Sequence, residues 1–548
     1  MAWAWTSISC TNSFNSRSYI LLVLLLLGLN SRSCYGLGTF GFDIHHRFSD
    51  PVKQILGSDG LPEKGSLEYF VAMVNRDRII RGRHLASNNQ SPLTFAYGND
   101  TLFIDTLGRQ VYMILILYYA NVSVGTPSLS FWVALDTGSD LFWLPCNCLN
   151  SNSCVTSLQT SSGQLATLNP FMKQEINLNI YSPSASSTSK NVPCNSSNLC
   201  DPNQCPSANS NCAYQYFYGS NDTSTSGILV EDVLHLITDD GQSKAIDAQI
   251  TFGCGQNETG IFLEGAAPNG LLGLGLDPIS IPSTLATEGL GPNSFSMCFG
   301  ADGVGRISFG DNGSSNQRET PFTIEPSNPT YNISITQVTI SSNASMLEFN
   351  AIFDSGTSYT HLSDPYYTFI TENFNSNVKE KRHLSDSQIP FEYCYNLSAN
   401  QSVYTIPMMN LTMKGGDQYV LTDPTVLFST QGGGYAYCLG LLKSKDFNII
   451  GQNFMTGYRI VFNRQKMVLG WKESNCYNDE NSNTLPISPP HSPTTVVVNP
   501  KATSGSGNSS QIPTASPIPT ASPSSHSPKL KAFTYPFAIL LVSFFAIV

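Results

Sequence analysis

Two short strings carry the chemistry of this chain: Asp136-Thr137-Gly138-Ser139 and Asp354-Ser355-Gly356-Thr357, about 220 residues apart. Each offers one carboxylate, two hydroxyls and a glycine. In a tight turn of that composition, backbone N–H groups and hydroxyls can orient the acid. One such turn alone is an ordinary surface feature. Two facing each other bring two carboxylates together, and like charges about 3 Å apart resist joint ionisation, so the pair shares one proton. One carboxylate can then take a proton from water while the other gives a proton to a carbonyl oxygen.

The flanking residues say which elements hold these turns. Phe131-Trp132-Val133-Ala134-Leu135 runs into Asp136, and the largely apolar stretch 347–353 runs into Asp354. Later in each half an apolar run ends in glycine, first Gly270-Leu271-Leu272-Gly273-Leu274-Gly275 and then Asn448-Ile449-Ile450-Gly451. The repeat spans two buried strands per half in the same order. Residues 118–124 alternate as a strand and meet a turn at Gly125-Thr126-Pro127. Residues 214–218 and 227–236 flank the polar stretch 219–226, which reads as a β-hairpin with a long loop. The run 110–119 is almost wholly apolar, too short for a membrane span, and fits an extended buried strand.

At these residues the chain resembles the pepsin-like (A1-type) aspartic peptidases, and in its Cys-rich first half the plant-type members. The resemblance covers roughly residues 118–476. It implies a mostly β, bilobal fold with two related β-lobes and the active-site cleft between them. It implies Asp136 and Asp354 as the catalytic dyad, with Thr137 and Ser355 joining the two loops beneath it. Ser139 and Thr357 would bond the outer carboxylate oxygens, and Gly138 and Gly356 complete the turns. Trp143, seven residues after Asp136, is expected to meet a flap tyrosine, Tyr218, on the 214–236 hairpin. Many relatives carry a second glycine near the flap tip, where this chain has the sequon Asn221-Asp222-Thr223. The resemblance implies an acidic working range, a protein or peptide substrate, no cofactor and a monomer. Some plant homologues bind a cell-wall protein or glycosidase instead of cutting, so an extracellular inhibitor or binding protein is the main rival. A structural surface glycoprotein is a second, and it leaves the duplicated Asp turns without a purpose.

Composition fits an exported enzyme. The 548 residues are 41% hydrophobic and 12% charged, with a formal net charge of −11, enough for two β-lobes and unsuited to nucleic acid. Cys10 and Cys34 fall in the leader. The other twelve of the 14 cysteines are Cys146, Cys148, Cys154, Cys194, Cys200, Cys205, Cys212, Cys254, Cys298, Cys394, Cys438 and Cys476. Cys146-Asn147-Cys148 and the Cys194 to Cys212 group could be read as a metal cluster, but no histidine lies close by at ligand spacing, so disulfides and an oxidising compartment are expected. Spacing does not reveal their connectivity, and Cys394 with Cys438 is one expected bridge. N-glycosylation sequons at Asn121, Asn195, Asn221, Asn257, Asn312, Asn332, Asn343, Asn396, Asn400 and Asn410 suit the same route.

The expected organisation has six parts. Residues 1–36 read as a signal peptide, with Arg17 ahead of the apolar run 19–29; the competing reading is a membrane anchor. Residues 37–100 read as a pro-segment whose basic residues, including Arg76, Arg78, Arg81 and Arg83, can pair with cleft carboxylates. A solvated helix face is the alternative. Residues 101–320 and 321–477 form the N-terminal and C-terminal catalytic lobes. Residues 478–531 are a Ser/Pro/Thr-rich stalk that cannot bury a core. Residues 532–548 are apolar and end the chain, as a GPI-attachment signal does, with the attachment residue near Ser522, Ser524 and Ser525 or Ser504 to Ser506. A single membrane span is the competing reading. The expected location is the secretory pathway, then the extracellular face of the plasma membrane or the cell wall.

Overall fold

The structure, a computed structural model, describes residues 39–56, 61–84 and most of 118–476, with the short strands Phe103–Ile104, Gln110–Val111 and Thr494–Val497. The leader and the C-terminal tail lie outside the described residues. So do residues 112–117 of the long apolar run and the hairpin tip 219–222.

The strand-forming runs assemble into two large sheets, one of 14 strands and one of eight. In the first, strand Leu129–Asp136 lies between Tyr118–Val124, its antiparallel partner, and Leu271–Gly273, which pairs with it in parallel and sets Gly273 opposite Asp136. Leu271–Gly273 also meets Trp143–Pro145 antiparallel, with Leu271 opposite Trp143, and that strand runs parallel to Ala245–Glu258. The second sheet repeats this wiring. Phe349–Phe353 pairs in parallel with Ile449–Ile450, which meets Thr360–Leu362 antiparallel, and that strand runs parallel to Leu441–Lys443. His361 therefore stands in the second lobe where Trp143 stands in the first. Parallel strands buried on both faces need continuous apolar sequence, which accounts for the runs that lead into each Asp.

Glycine permits the close packing behind each Asp-bearing turn. A Cβ on Gly273 would lie 2.2 Å from the backbone of Asp140, and one on Gly451 would lie 2.5 Å from that of Tyr359. Neither position admits a side chain without displacing the loop that carries the acid.

The first described strand, Phe40–His46, enters the large sheet between Tyr118–Val124 and Val304–Phe309. Phe40 and Ile44 are fully buried there. Helix Leu67–His84 follows and buries Phe70, Met73, Val74, Arg76 and Asp77. Phe70 packs against the rings of Tyr359, Phe391 and Phe428 of the second lobe, with centroids 6.4–6.5 Å away. The expected hairpin forms from Ala213–Phe217 and Ser224–Thr238.

Twelve cysteines form six disulfides: Cys146–Cys254, Cys148–Cys154, Cys194–Cys205, Cys200–Cys212, Cys298–Cys476 and Cys394–Cys438. The last is the pairing the sequence suggested. Within the expected stalk, the β-branched run Thr494–Val497 pairs with Val403–Ile406, so this short piece is ordered by strand pairing where composition predicted only a spacer. Asn410 sits buried in strand Met409–Met413, which leaves no room for a glycan, whereas Asn121, Asn195, Asn312, Asn343 and Asn396 are exposed.

Candidate active site

Both acid turns have the same internal geometry. Gly138 N–H donates to Asp136 Oδ1 at 2.9 Å and Ser139 Oγ to Asp136 Oδ2 at 2.6 Å. Gly356 N–H donates to Asp354 Oδ1 at 2.8 Å and Thr357 Oγ1 to Asp354 Oδ2 at 2.5 Å. Donors aimed at the oxygens fix the orientation of each carboxylate. The main chain fixes the turns from behind. Leu274 N–H bonds Asp136 O at 2.9 Å, and Gly275 N–H bonds Ser139 O at 2.8 Å. In the second lobe Asp354 N–H bonds Ile450 O at 3.2 Å, and Gln452 N–H bonds Thr357 O at 2.7 Å.

The two turns meet across the lobes. Thr137 Oγ1 lies 3.3 Å from Ser355 Oγ, accepts the Ser355 N–H at 3.3 Å, and lies 3.5 Å from Asp354 Oδ1. Thr137 and Ser355 are buried, so these hydroxyls sit beneath the carboxylates and away from water. A Cβ on Gly356 would lie 3.0 Å from Asp354 Oδ1 and 3.7 Å from Asp136 Oδ1, so both inner oxygens face one small space.

Trp143 is buried and Tyr218 half-buried, and both pack edge-on against Phe262, at 4.9 Å and 5.0 Å between centroids. The Trp143 indole N–H lies near the Tyr218 hydroxyl without closing to hydrogen-bond geometry, and both polar atoms are buried without another partner among the described residues. Burial first, then the charge-bearing neighbours Tyr216 and Asp136, pushes the Tyr218 phenol far up. Sequence reading missed three groups here. Phe262 joins the indole to the flap. Asp140, directly after the first turn, accepts from Tyr216 Oη at 3.2 Å and from Asp277 N–H at 2.9 Å, tying the flap strand to the catalytic loop. Burial raises the Asp140 carboxyl. The only sequence hint was an acidic residue at the end of the motif.

The third missed group is Asp77, on helix Leu67–His84. It bonds Ser358 and Tyr359, the two residues after Thr357. Its neighbour Arg76 forms an ion pair with it at 2.7 Å and donates to Ser358 Oγ at 3.3 Å. Burial lowers the Arg76 pKa, opposed by the charge of Asp77 and then of Asp354. Arg76, one of the basic residues of the expected pro-segment, thus has its close ion pair with Asp77 on its own helix. The side chains of Arg78, Arg81 and Arg83 lie outside the described residues.

Comparison with known proteins agrees with this architecture. Residues 118–311 match the family described as xylanase inhibitor N-terminal, and residues 329–473 match xylanase inhibitor C-terminal. The chain is 51% identical over 524 residues to aspartyl protease family protein 1 of Arabidopsis thaliana, covering 95% of this chain and 97% of that one. It is 36% identical over 487 residues to aspartic proteinase-like protein 1 of the same plant, covering 85% and 86%. Among solved structures it superimposes on edgp with a TM-score of 0.50 at 19% identity, over 66% of this chain and 92% of that one, a likeness of fold. The paired turns, the duplicated wiring of the two sheets and these matches show that the chain belongs to the pepsin-like aspartic protease family, among its plant members.

Proposed function

We propose that this chain is a secreted aspartic endopeptidase that hydrolyses peptide bonds in an acidic medium, with Asp136 and Asp354 as its dyad. The observation that carries the reading is the pair of matching turns joined by Thr137 and Ser355, with both inner carboxylate oxygens facing the space at Gly356. In the reaction, one carboxylate takes a proton from the trapped water as its oxygen attacks the peptide carbonyl carbon. The other, protonated, carboxyl gives its proton to the carbonyl oxygen. The resulting tetrahedral diol collapses, the C–N bond breaks, and the nitrogen leaves with a proton returned from the dyad. No covalent enzyme intermediate forms. In pepsin the handing of one proton between such acids splits their apparent pKa values, which belong to the pair.

The segment 39–84 supports synthesis as a zymogen. Its strand sits in the large sheet and its helix sets Arg76 and Asp77 beside the second catalytic turn, where substrate has to pass. The hairpin bearing Tyr218 serves as the flap that excludes water. Export through the secretory pathway, glycosylation at the exposed sequons and a C-terminal lipid anchor complete the reading, and six disulfides support an oxidising route. A non-catalytic inhibitor on the same scaffold has no use for both acids with all four of their turn donors in place. The test is hydrolysis of a protein substrate by the acidified, purified chain. The reading expects cleavage that pepstatin blocks; absence of cleavage after removal of residues 37–100 would refute it.

A further inference from the structure

Asp77 is held as a ligand is held. Ser358 N–H donates to its Oδ1 at 3.0 Å and Ser358 Oγ to the same oxygen at 2.9 Å, while Tyr359 N–H donates to Oδ2 at 3.0 Å. His361 Nε2 lies 3.9 Å from Oδ2, in a side chain only 6% exposed, and has no hydrogen-bond partner. All four polar atoms belong to the second lobe, on residues 358–361, directly beyond Thr357. The carboxylate that fills them belongs to the segment that the zymogen reading removes.

The geometry distinguishes a carboxylate from other groups. Donors address both oxygens, so a single carbonyl satisfies only half of them. An amide presents its NH2 to one of these N–H groups, leaving two donors in opposition and a buried donor unmade, which costs more than a hydrogen bond gains. Bonds to an ionised acceptor are also shorter and roughly twice as strong as neutral ones.

We infer that Ser358, Tyr359 and His361 form a carboxylate-binding subsite of the cleft, occupied here by Asp77 and taken by an Asp or Glu side chain of the substrate once the segment has left. The inference rests on the proposed peptidase reading and adds a substrate preference to it. It also gives Asp77 a role as a substrate mimic that Arg76 alone does not supply.

The test compares peptides of one sequence that carry Asp, Asn, Glu or Gln at each successive position on the N-terminal side of the cut, at about pH 5.5, where a free Asp or Glu is ionised. At one position the acid is expected to exceed its amide by about tenfold or more in kcat/KM. Ser358→Ala and His361→Gln should each reduce that ratio to near unity, whatever either does to the rate on the amide peptides. Equal rates for acid and amide at every position, in an enzyme that cuts, would overturn the subsite and leave the peptidase reading standing. No cutting of any peptide would instead count against the peptidase reading. The subsite is then read in the full chain carrying Asp77→Ala, by hydrogen exchange at the Ser358 and Tyr359 amides. Added acetate should restore their protection and chloride should not; no response to acetate would overturn the inference there too.

Discussion

Acid should loosen the N-terminal strand, and the burial of His46 sets by how much. His46 is 4% exposed on strand Phe40–His46, with its ring against Phe48, Tyr69 and Tyr118. Its Nδ1 accepts the Phe48 N–H at 3.3 Å. Burial first, then the positive charges of Lys64, Arg76, Arg47 and Lys53, lowers its pKa from 6.5 to about 3. The undocked strand regains the ordinary value, so between pH 6.5 and 3 the detached form binds a proton that the docked form refuses. Docking is therefore undiminished above pH 6.5 and weakens as pH falls, by about 1.4 kcal/mol per unit. Lowering pH from 6.5 to 4.5 should cost about 3 kcal/mol, roughly a hundredfold in the undocked population. Half-buried His45, also shifted down by burial, adds a smaller effect of the same sign. The assay is hydrogen exchange at the amides of residues 40–46 as a function of pH, corrected for intrinsic rates. His46→Asn keeps an acceptor for Phe48 and cannot titrate, so it should remove about one proton from the slope. An unchanged slope in that variant, or a His46 resonance titrating near 6.5 in the docked chain, would refute the reasoning.

Two further perturbations probe the lobes. Glu258 is 1% exposed and burial raises its carboxyl to about 8, against a weaker lowering by the Val155 N–H. The folded form keeps its proton between pH 4.5 and 8 while the unfolded form loses it. Stability is thus full below 4.5 and declines as pH rises through that window. Glu258→Gln should flatten the decline in Tm between pH 5 and 8, and a parallel decline in the variant would count against this account. Thr137→Ala removes the hydroxyl that meets Ser355 Oγ and N–H. With a buried donor left unpaired it should cost roughly 1–3 kcal/mol in stability. It should also lower kcat by tenfold or more through loosened carboxylate placement, with KM little changed.

The catalytic turns were legible because their signal is local. An Asp, two hydroxyls and a glycine after an apolar run describe a complete hydrogen-bonded turn within four residues, and its second copy described the second lobe. The hairpin was legible for a similar reason, since alternating strands flank a polar loop. What the sequence hid lies in long-range contact. Asp77 and Ser358 are 281 residues apart, and nothing around Asp77 marks it as a ligand for a distant turn. The burial of His46 depends on neighbours contributed by three separate stretches, so its charge state had no counterpart in composition. Phe262 is one aromatic among 30 phenylalanines, and only packing places it between Trp143 and Tyr218. Asn410 shows the converse, a sequon that reads as accessible by pattern and is closed off by its place in a strand.

The most direct test of the central claim replaces each acid of the pair by its isosteric amide. Asp136→Asn and Asp354→Asn keep the turns and their hydroxyl partners but abolish the shared proton. Protein hydrolysis at acid pH by the activated chain, measured for each variant alongside the unaltered chain and with folding checked by circular dichroism, should fall by at least about a thousandfold in both. Retention of cleavage by either folded variant would contradict the two-carboxylate mechanism.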